Sequence, residues 1–307
     1  MSATAGARPV AVELNAVLVA LIDDEPQVLT LEDGALLPSG PFEGDHPTLQ
    51  AGVRAWVERQ THHPLGYVEQ LYTFADRYRE STMGYRIVSI SYLGLTRERA
   101  AAGEHEPGWQ SFYRYFPWED WRQGQPRVLA RAILPRLKSW IDVATDESRR
   151  QRRQRVEGNF DLSAWNEELM LQRYELLYEA GLVPEAGRPR KPVADPVPGE
   201  PMRYDHRRIL ATGIARLRAK IKYRPVVFEL MPPDFTLGQL QRAVESLAGR
   251  QLHKQNFRRQ VEQQGLVEET GAMTAGTGGR PAKLHRFRRE IVLERAVAGS
   301  KLPLARS

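Results

Sequence analysis

The stretch from Phe235 to Arg289, FTLGQLQRAVESLAGRQLHKQNFRRQVEQQGLVEETGAMTAGTGGRPAKLHRFRR, limits the fold more than any other part of the chain. Thr236 and Gln239, three residues apart, have the form of a capping box, and Phe235 and Leu240 have the spacing of a hydrophobic staple. A helix must start there. Leu237, Leu240, Val244 and Leu247 recur at helical spacing, and Gly249 stops the run. A second helix is predicted from about His253 to Gln264, with Phe257 and Val261 as the i, i+4 pair facing the first. At 100° per residue, Gln255 and Arg259 then point away from the core, flanked by Lys254, Asn256 and Arg258. Beyond Gly265, Leu266 to Glu268 and Lys283 to Arg288 should pair as strands around a loop carrying Gly271, Gly276, Gly278 and Gly279.

Helix, turn, helix and a basic two-stranded wing is the order of a winged helix-turn-helix. Amides and guanidinium forks match base edges in the major groove, so Lys254, Gln255, Asn256, Arg258 and Arg259 are the expected DNA-reading residues, with Arg280 and Lys283 on the wing. Nine Lys or Arg stand against three Glu from Arg250 to Arg289, and the excess falls on the second helix and the wing. The glycine loop lacks both the GxxxxGK[ST] lysine and GxGxxG spacing, which excludes either nucleotide motif. A winged helix can also bind protein, so a scaffold is one rival reading.

At 307 residues and 41% apolar content the chain has room for two domains. Its net charge of +6 is unevenly placed: residues 1–70 hold ten Asp or Glu against three Arg, whereas Arg203 to Arg224 hold eight Lys or Arg against Asp205 alone. That asymmetry suggests a sensor or enzyme in front and a polyanion binder behind. The absence of cysteine excludes disulfides, thiolate zinc sites and cysteine nucleophiles. The apolar run Ala16 to Ile22 is too short to span a bilayer and ends in two aspartates, so a cytoplasmic protein without membrane contact is expected.

Upstream, Val12 to Ile22 and Val28 to Leu31 read as strands, Thr48 to Thr61 as a helix, and Tyr67 to Phe74 and Tyr85 to Leu95 as further strands of a mixed sheet. The expected class is α+β. Arg77, Arg79 and Arg86, around the loop between the last two strands, suit a diphosphate or form a solvated basic loop. His62 and His63 are adjacent and lack metal-ligand spacing. Trp109, Phe112, Tyr113, Tyr115, Trp118 and Trp121 are expected in core and dimer packing rather than under a nucleobase. Val128 to Ile141 is amphipathic, the run SRRQRRQRVEG a solvated helix or a DNA contact, and Leu162 to Leu177 another helix. Six prolines in residues 182–201 suggest a semi-rigid linker, after which a helix from about Asp205 to Lys222 opens the second domain. The expected boundaries are 11–145 for the sensing domain, 146–204 for the linker region and 205–295 for the winged helix.

YVEQLYTFADRYRESTMGYRIVSISYLGL resembles the central strands of Nudix domains, in particular those of the Nudix-related transcriptional regulators of NAD metabolism of the NrtR and NadQ type. RPVVFELMPPDFTLGQL, HKQNFRRQVEQQGLVEETG and GRPAKLHRF resemble the same regulators. The resemblance implies an N-terminal Nudix-like α/β/α domain, a helical linker region and the C-terminal winged helix. Against the family pattern GX5EX7REUXEEXGU, Gly40, Arg54, Trp56 and Glu58 agree, whereas His46, Ala55, Arg59 and Thr61 do not. One carboxylate beside an arginine cannot supply the oxygen cage that Mg²⁺ demands. The resemblance therefore implies a nucleotide pocket without hydrolase chemistry, metal or required cofactor. Arg54, Glu58, Arg77, Arg79 and Arg86 are its ligand-binding candidates. It further implies a homodimeric repressor of NAD biosynthesis or salvage genes that reads a palindromic double-stranded operator and senses NAD, ADP-ribose or ATP. The enzyme-class rival is an active ADP-ribose-type pyrophosphohydrolase with a basic nucleic-acid-binding tail.

Overall fold

The computed structural model describes residues 10–62, 65–75, 86–97, 108–187, 192–274 and 281–288. Its first strand, β1 (Val10–Ile22), organises everything that follows because both of its faces are buried. Side chains alternate across a strand, so Leu14, Ala16 and Leu18 point one way and Val17 and Val19 the other. The first set packs with Val53 and Val57 of α1 (Leu49–Thr61). The second set packs into a larger core with Leu210, Ile214 and Leu217 of α6 (His206–Tyr223). Two helices sandwiching one strand give the α/β/α layering.

The remaining strands are β2 (Glu25–Thr30), β3 (Ser39–Pro41), β4 (Tyr67–Phe74), β5 (Arg86–Leu95) and β6 (Gly108–Ser111). They lie in the order β4-β5-β1-β2-β6, with β3 pairing β1. β1 and β5 run parallel from Val10↔Arg86 to Val19↔Leu95, and the other pairs are antiparallel. The sheet is mixed, as the sequence predicts. A short helix α2 (Phe112–Tyr115), α3 (Leu134–Asp142), α4 (Asp146–Asn159) and α5 (Met170–Glu179) follow. The aromatic cluster is core: Phe112, Tyr113, Tyr115, Phe116 and Trp118 are buried, while Trp121 tilts against Trp165 with ring centroids 4.6 Å apart. Helix α4 buries none of its residues, which agrees with a solvated basic helix.

Two expectations need correction. The helix predicted to open the second domain is α6, and it lies on the sheet of the first. A Cβ at Gly213 would sit 2.9 Å from Val17 Cγ1, so glycine lets the helix approach β1 closely. The proline-rich segment is likewise no free linker: Val183 and Val197 are buried, and Val197 N donates to Leu182 O at 2.8 Å. Glu200 N donates to Arg114 O at 3.0 Å. Proline content sets the stiffness of such a stretch, but the apolar residues between the prolines decide where it packs.

Because β1 is buried on both sides, Leu14→Ala is expected to cost about 2–5 kcal/mol of unfolding free energy. The more exposed Val10→Ala, at the end of the same strand, should stay within about 0.5 kcal/mol. Chemical denaturation of the two variants checks the contrast.

Candidate nucleic-acid interface

The C-terminal unit comprises β7 (Asp234–Phe235), α7 (Leu237–Ala248), α8 (Lys254–Gln264), β8 (Val267–Met273) and β9 (Lys283–Phe287). The capping box forms: Gln239 N donates to Thr236 Oγ1 at 3.1 Å, and Thr236 N donates to Gln239 Oε1 at 2.8 Å. Leu240, Ala243, Val244 and Leu247 form the buried face of α7. Gly249 ends it in the left-handed region at φ 74°. Leu252 N then donates to Glu245 Oε1 at 2.8 Å, and Gln241 Nε2 to Leu252 O at 3.1 Å, which fixes the turn into α8.

Phe257 and Val261 are the buried residues of α8 and face inward. Lys254, Gln255, Asn256, Arg258 and Arg259 are all exposed, as the periodicity requires. Arg259 Nη2 lies 3.4 Å from Asn256 Oδ1, a loose contact that leaves the guanidinium available. The His253 side chain does not cap the helix, and a concavity of about 580 Å³ beside the helix start is lined by Gln251 to Gln255. Free amides at a helix start suit a phosphate. On the wing, the Lys283 ammonium donates to Glu269 at 2.8 Å and Arg286 pairs with Asp234 at 3.0 Å, so both are partly neutralised. Arg280 lies outside the described residues. A third strand, β7, pairs β9 and was not visible in the sequence pattern. Phe228 stacks on Phe287 at 4.1 Å and holds the wing to the body.

The sequence also gave no sign of how this unit is attached. Glu119, in a 3-10 turn over Pro117–Glu119, is fully buried between two buried arginines. Arg173 of α5 donates to it through Nε at 2.7 Å and Nη2 at 2.8 Å, and Arg218 of α6 through Nη1 at 2.7 Å. Arg218 Nε then donates to Leu247 O at 3.0 Å, and the Tyr113 hydroxyl to Ser246 O at 2.6 Å. Trp121 N donates to Gly249 O at 2.6 Å. The last carbonyls of α7 are therefore satisfied by the sheet domain. A Cβ at Gly249 would lie 2.4 Å from Glu119 O and 2.8 Å from the Tyr113 hydroxyl, so no side chain fits. Burial pushes the Tyr113 phenol up to about 12, which keeps it a donor at neutral pH. Burial also works against the Glu119 charge, but the two guanidiniums outweigh it and hold the carboxyl below the usual range.

This explains most of the basic run from Arg203 to Arg224, which the sequence suggests as part of a polyanion binder. Arg203 pairs with Glu32, Arg207 with Glu185, Arg208 with Glu175, Arg218 with Glu119, Lys220 with Glu69 and Lys222 with Glu167 and Glu168. These cations hold the fold, and a single sequence does not reveal their distant acidic partners.

On the α1 face, Arg54 donates to Leu65 O and, at 3.0 Å, to Gly66 O, so it braces the connection into β4. Glu58 is exposed. Trp56 Nε1 donates to Pro41 O at 2.8 Å, and the Arg59 guanidinium lies 4.5 Å over the Trp56 ring. His46 accepts from Glu43 N at 3.1 Å; Glu43, Asp45 and His46 offer ligand atoms within 4.8 Å of one another. Arg86 Nη2 donates to Ala75 O at 2.9 Å. Arg77 and Arg79 lie outside the described residues.

Residues 227–287 match the family model of the NrtR DNA-binding winged helix domain. A curated relative from Acinetobacter baylyi, the ADPR responsive transcriptional repressor NtrR, is 43% identical over 84 residues; the match takes in 27% of this chain and only 33% of the relative. The crystal structure of Shewanella oneidensis NrtR aligns with a TM-score of 0.54 and 20% identity, over 90% of this chain and 94% of that one. NrtR of the same organism complexed with a 27mer DNA aligns at 0.50 and 20% identity, over 90% and 93%. A MutT/nudix family protein from Enterococcus faecalis gives 0.51 and 16%, over 94% and 90%. The fold is thus a Nudix-type α/β domain carrying a C-terminal winged helix.

Glu119→Ala, which leaves two buried guanidiniums unpaired, is expected to lower stability by about 3–5 kcal/mol. Loss of the exposed pair Arg242–Asp24 by Arg242→Ala should cost less than about 1 kcal/mol. Because the folded-state carboxyl of Glu119 lies below its unfolded value of 4.5, its contribution is present at neutral pH. It is lost as pH falls from there through the folded value. Denaturation as a function of pH should show that acid loss in the parent chain and a smaller one in Glu119→Ala.

Proposed function

We propose that this chain is a ligand-responsive DNA-binding transcriptional repressor of the NrtR type. The observation that carries the reading is the exposed row Lys254, Gln255, Asn256, Arg258 and Arg259 on α8, opposite buried Phe257 and Val261, inside the segment that matches the NrtR DNA-binding winged helix. Helix α8 enters the major groove, Arg259 and Gln255 contact base edges, and Lys254, Arg258, Arg280 and Lys283 contact phosphates or the adjoining groove. One helix covers few bases, so two copies related by a dyad read a palindromic operator as a homodimer.

The effector is an adenine nucleotide of the ADP-ribose, NAD or ATP class, bound by the Nudix-type domain. Support comes from the ADPR-responsive relative and from the family resemblance of the central strands, which also points to genes of NAD biosynthesis or salvage as the targets. Arg86 and Glu58, with Arg77 and Arg79, are the ligand-facing candidates; Arg54 serves by shaping the connection it braces. The donor set does not fit the Mg²⁺ cage of a hydrolase. Arg59 is a fixed cation on Trp56, Ala55 and Thr61 carry no carboxylate, and His46 adds a nitrogen that a hard cation does not favour. We infer binding without turnover.

Fluorescence anisotropy of duplexes from upstream of this gene and of neighbouring NAD-synthesis genes tests the reading. Tight binding that NAD, ADP-ribose or ATP shifts is the expected result, and no binding with or without nucleotide would overturn it. Arg259→Ala should weaken operator binding by about 1–3 kcal/mol, and unchanged affinity would remove Arg259 from the reading face. In a phosphate-release assay with Mg²⁺ and ADP-ribose, turnover should be absent; about 1 per second would make the chain an enzyme.

A further inference from the structure

Of the eight cations between Arg203 and Arg224, two remain after the internal pairs are assigned. The side chains of Arg216 and Arg224 are exposed and make no ion pair or hydrogen bond among the described residues, although the Arg216 charge still acts on nearby Glu69. Both line one concavity of about 530 Å³ between edge strand β4 and the C-terminal half of α6, together with Tyr67, Val68, Glu69, Ala219 and Lys220. Arg216 and Lys220 lie one helical turn apart on α6, and Arg224 follows just past the helix end in extended backbone, so the three cations line the same concavity. Like charges at this spacing repel, and the negative end of the helix dipole offsets only part of that.

One carboxylate faces the row, and it is already engaged. The Tyr67 hydroxyl donates to Glu69 Oε2 at 2.5 Å, the Lys220 ammonium pairs with the same carboxylate, and Lys220 Nζ lies 2.9 Å from the Tyr67 hydroxyl. Burial disfavours the Glu69 charge, but the bonds from Lys220 and Tyr67 prevail and keep the carboxyl below its usual range. Glu69 therefore holds Lys220 in place and is itself neutralised by it. Ala219 is small enough to leave the wall open. The site lies on the α6 side of the sheet, whereas α1, with Glu58 and Arg59, packs on the other side.

We propose that this concavity is a second anion-binding site, which takes a small phosphorylated ligand through Arg216, Arg224 and Lys220. Guanidinium forks match phosphoryl oxygens, and two unpaired arginines beside a lysine whose charge Glu69 offsets leave the hollow a net positive charge for a compact anion. No residue of α7, α8, β8 or β9 lines it, which sets it apart from the candidate DNA face. None of Arg54, Glu58 and Arg86 lines it.

The test is isothermal titration calorimetry of the full-length chain with inorganic pyrophosphate at low ionic strength. The variants are the double replacement Arg216→Ala, Arg224→Ala and a charge-matched control, Arg150→Ala, Arg153→Ala, on the solvated helix α4. Both double variants alter exposed residues, and thermal melts confirm that they fold. The parent and the control should bind pyrophosphate equally, and the first double variant about tenfold more weakly per arginine removed. Equal weakening in the control, or no binding to the parent chain, would overturn the proposal. A lost duplex affinity in the Arg216, Arg224 variant with pyrophosphate binding unchanged would assign the row to DNA and overturn it as well.

Discussion

The carboxylate of Glu119 between the guanidiniums of Arg173 and Arg218 is the contact on which the arrangement of the two units depends. Removing three charges from water is costly, and a well-packed apolar cluster of the same size would be at least as stable. What the ionic version adds is direction. Arg218 uses one edge of its guanidinium on Glu119 and another nitrogen on the carbonyl of Leu247, so the last turn of α7 is tied to α5 and α6 at once. Tyr113 and Trp121 hold the next carbonyls, and the missing side chain at Gly249 allows the approach. Four elements meet at the turn that leads into α8.

A ligand can alter DNA affinity only by binding two arrangements of the protein unequally. With the turn before α8 held by the sheet domain, tilting α8 alone would break several buried polar bonds at once, each costly to leave unmade. In the proposed dimer, movement of one copy relative to the other avoids that cost. The wing is held by the pairing of β9 with the two-residue β7, the Phe228–Phe287 stack and the exposed Arg286–Asp234 pair. It is the part of the reader best able to adapt to a groove.

Features decided within a few residues were legible in the sequence. Thr236 and Gln239 announced the capping box, Gly249 the stop, and Phe257 with Val261 the inward side of α8, because each depends on spacing along one helix. Strands β1, β4 and β5 were legible as apolar runs. The buried joint was not: Arg173 and Arg218 reach Glu119 across 54 and 99 residues, and an arginine in a basic run reads as solvated until its partner is found. The same blindness made the Arg203 to Arg224 run look like a polyanion surface when six of its cations are internal partners. Strand β7, two residues long, is below the length at which alternation can be recognised. The proline-rich stretch revealed its stiffness but not that Val183 and Val197 anchor it. For Arg54 the family pattern pointed to the residue, while only the structure shows its bonds to the carbonyls of Leu65 and Gly66.

The absence of cysteine makes a direct distance measurement simple. Spin labels placed on Val143→Cys, exposed at the end of α3, and Gln263→Cys, exposed on α8, report the separation of sheet domain and reader within one chain when labelled protein is diluted with unlabelled. Pulsed electron spin resonance with and without ADP-ribose, under conditions where the nucleotide changes DNA binding, gives that separation in both states. The rigid joint at Glu119 predicts one unchanged, narrow distance distribution. A ligand-induced shift or broadening of that distribution would show that the reader swings on the sheet domain and would contradict the account.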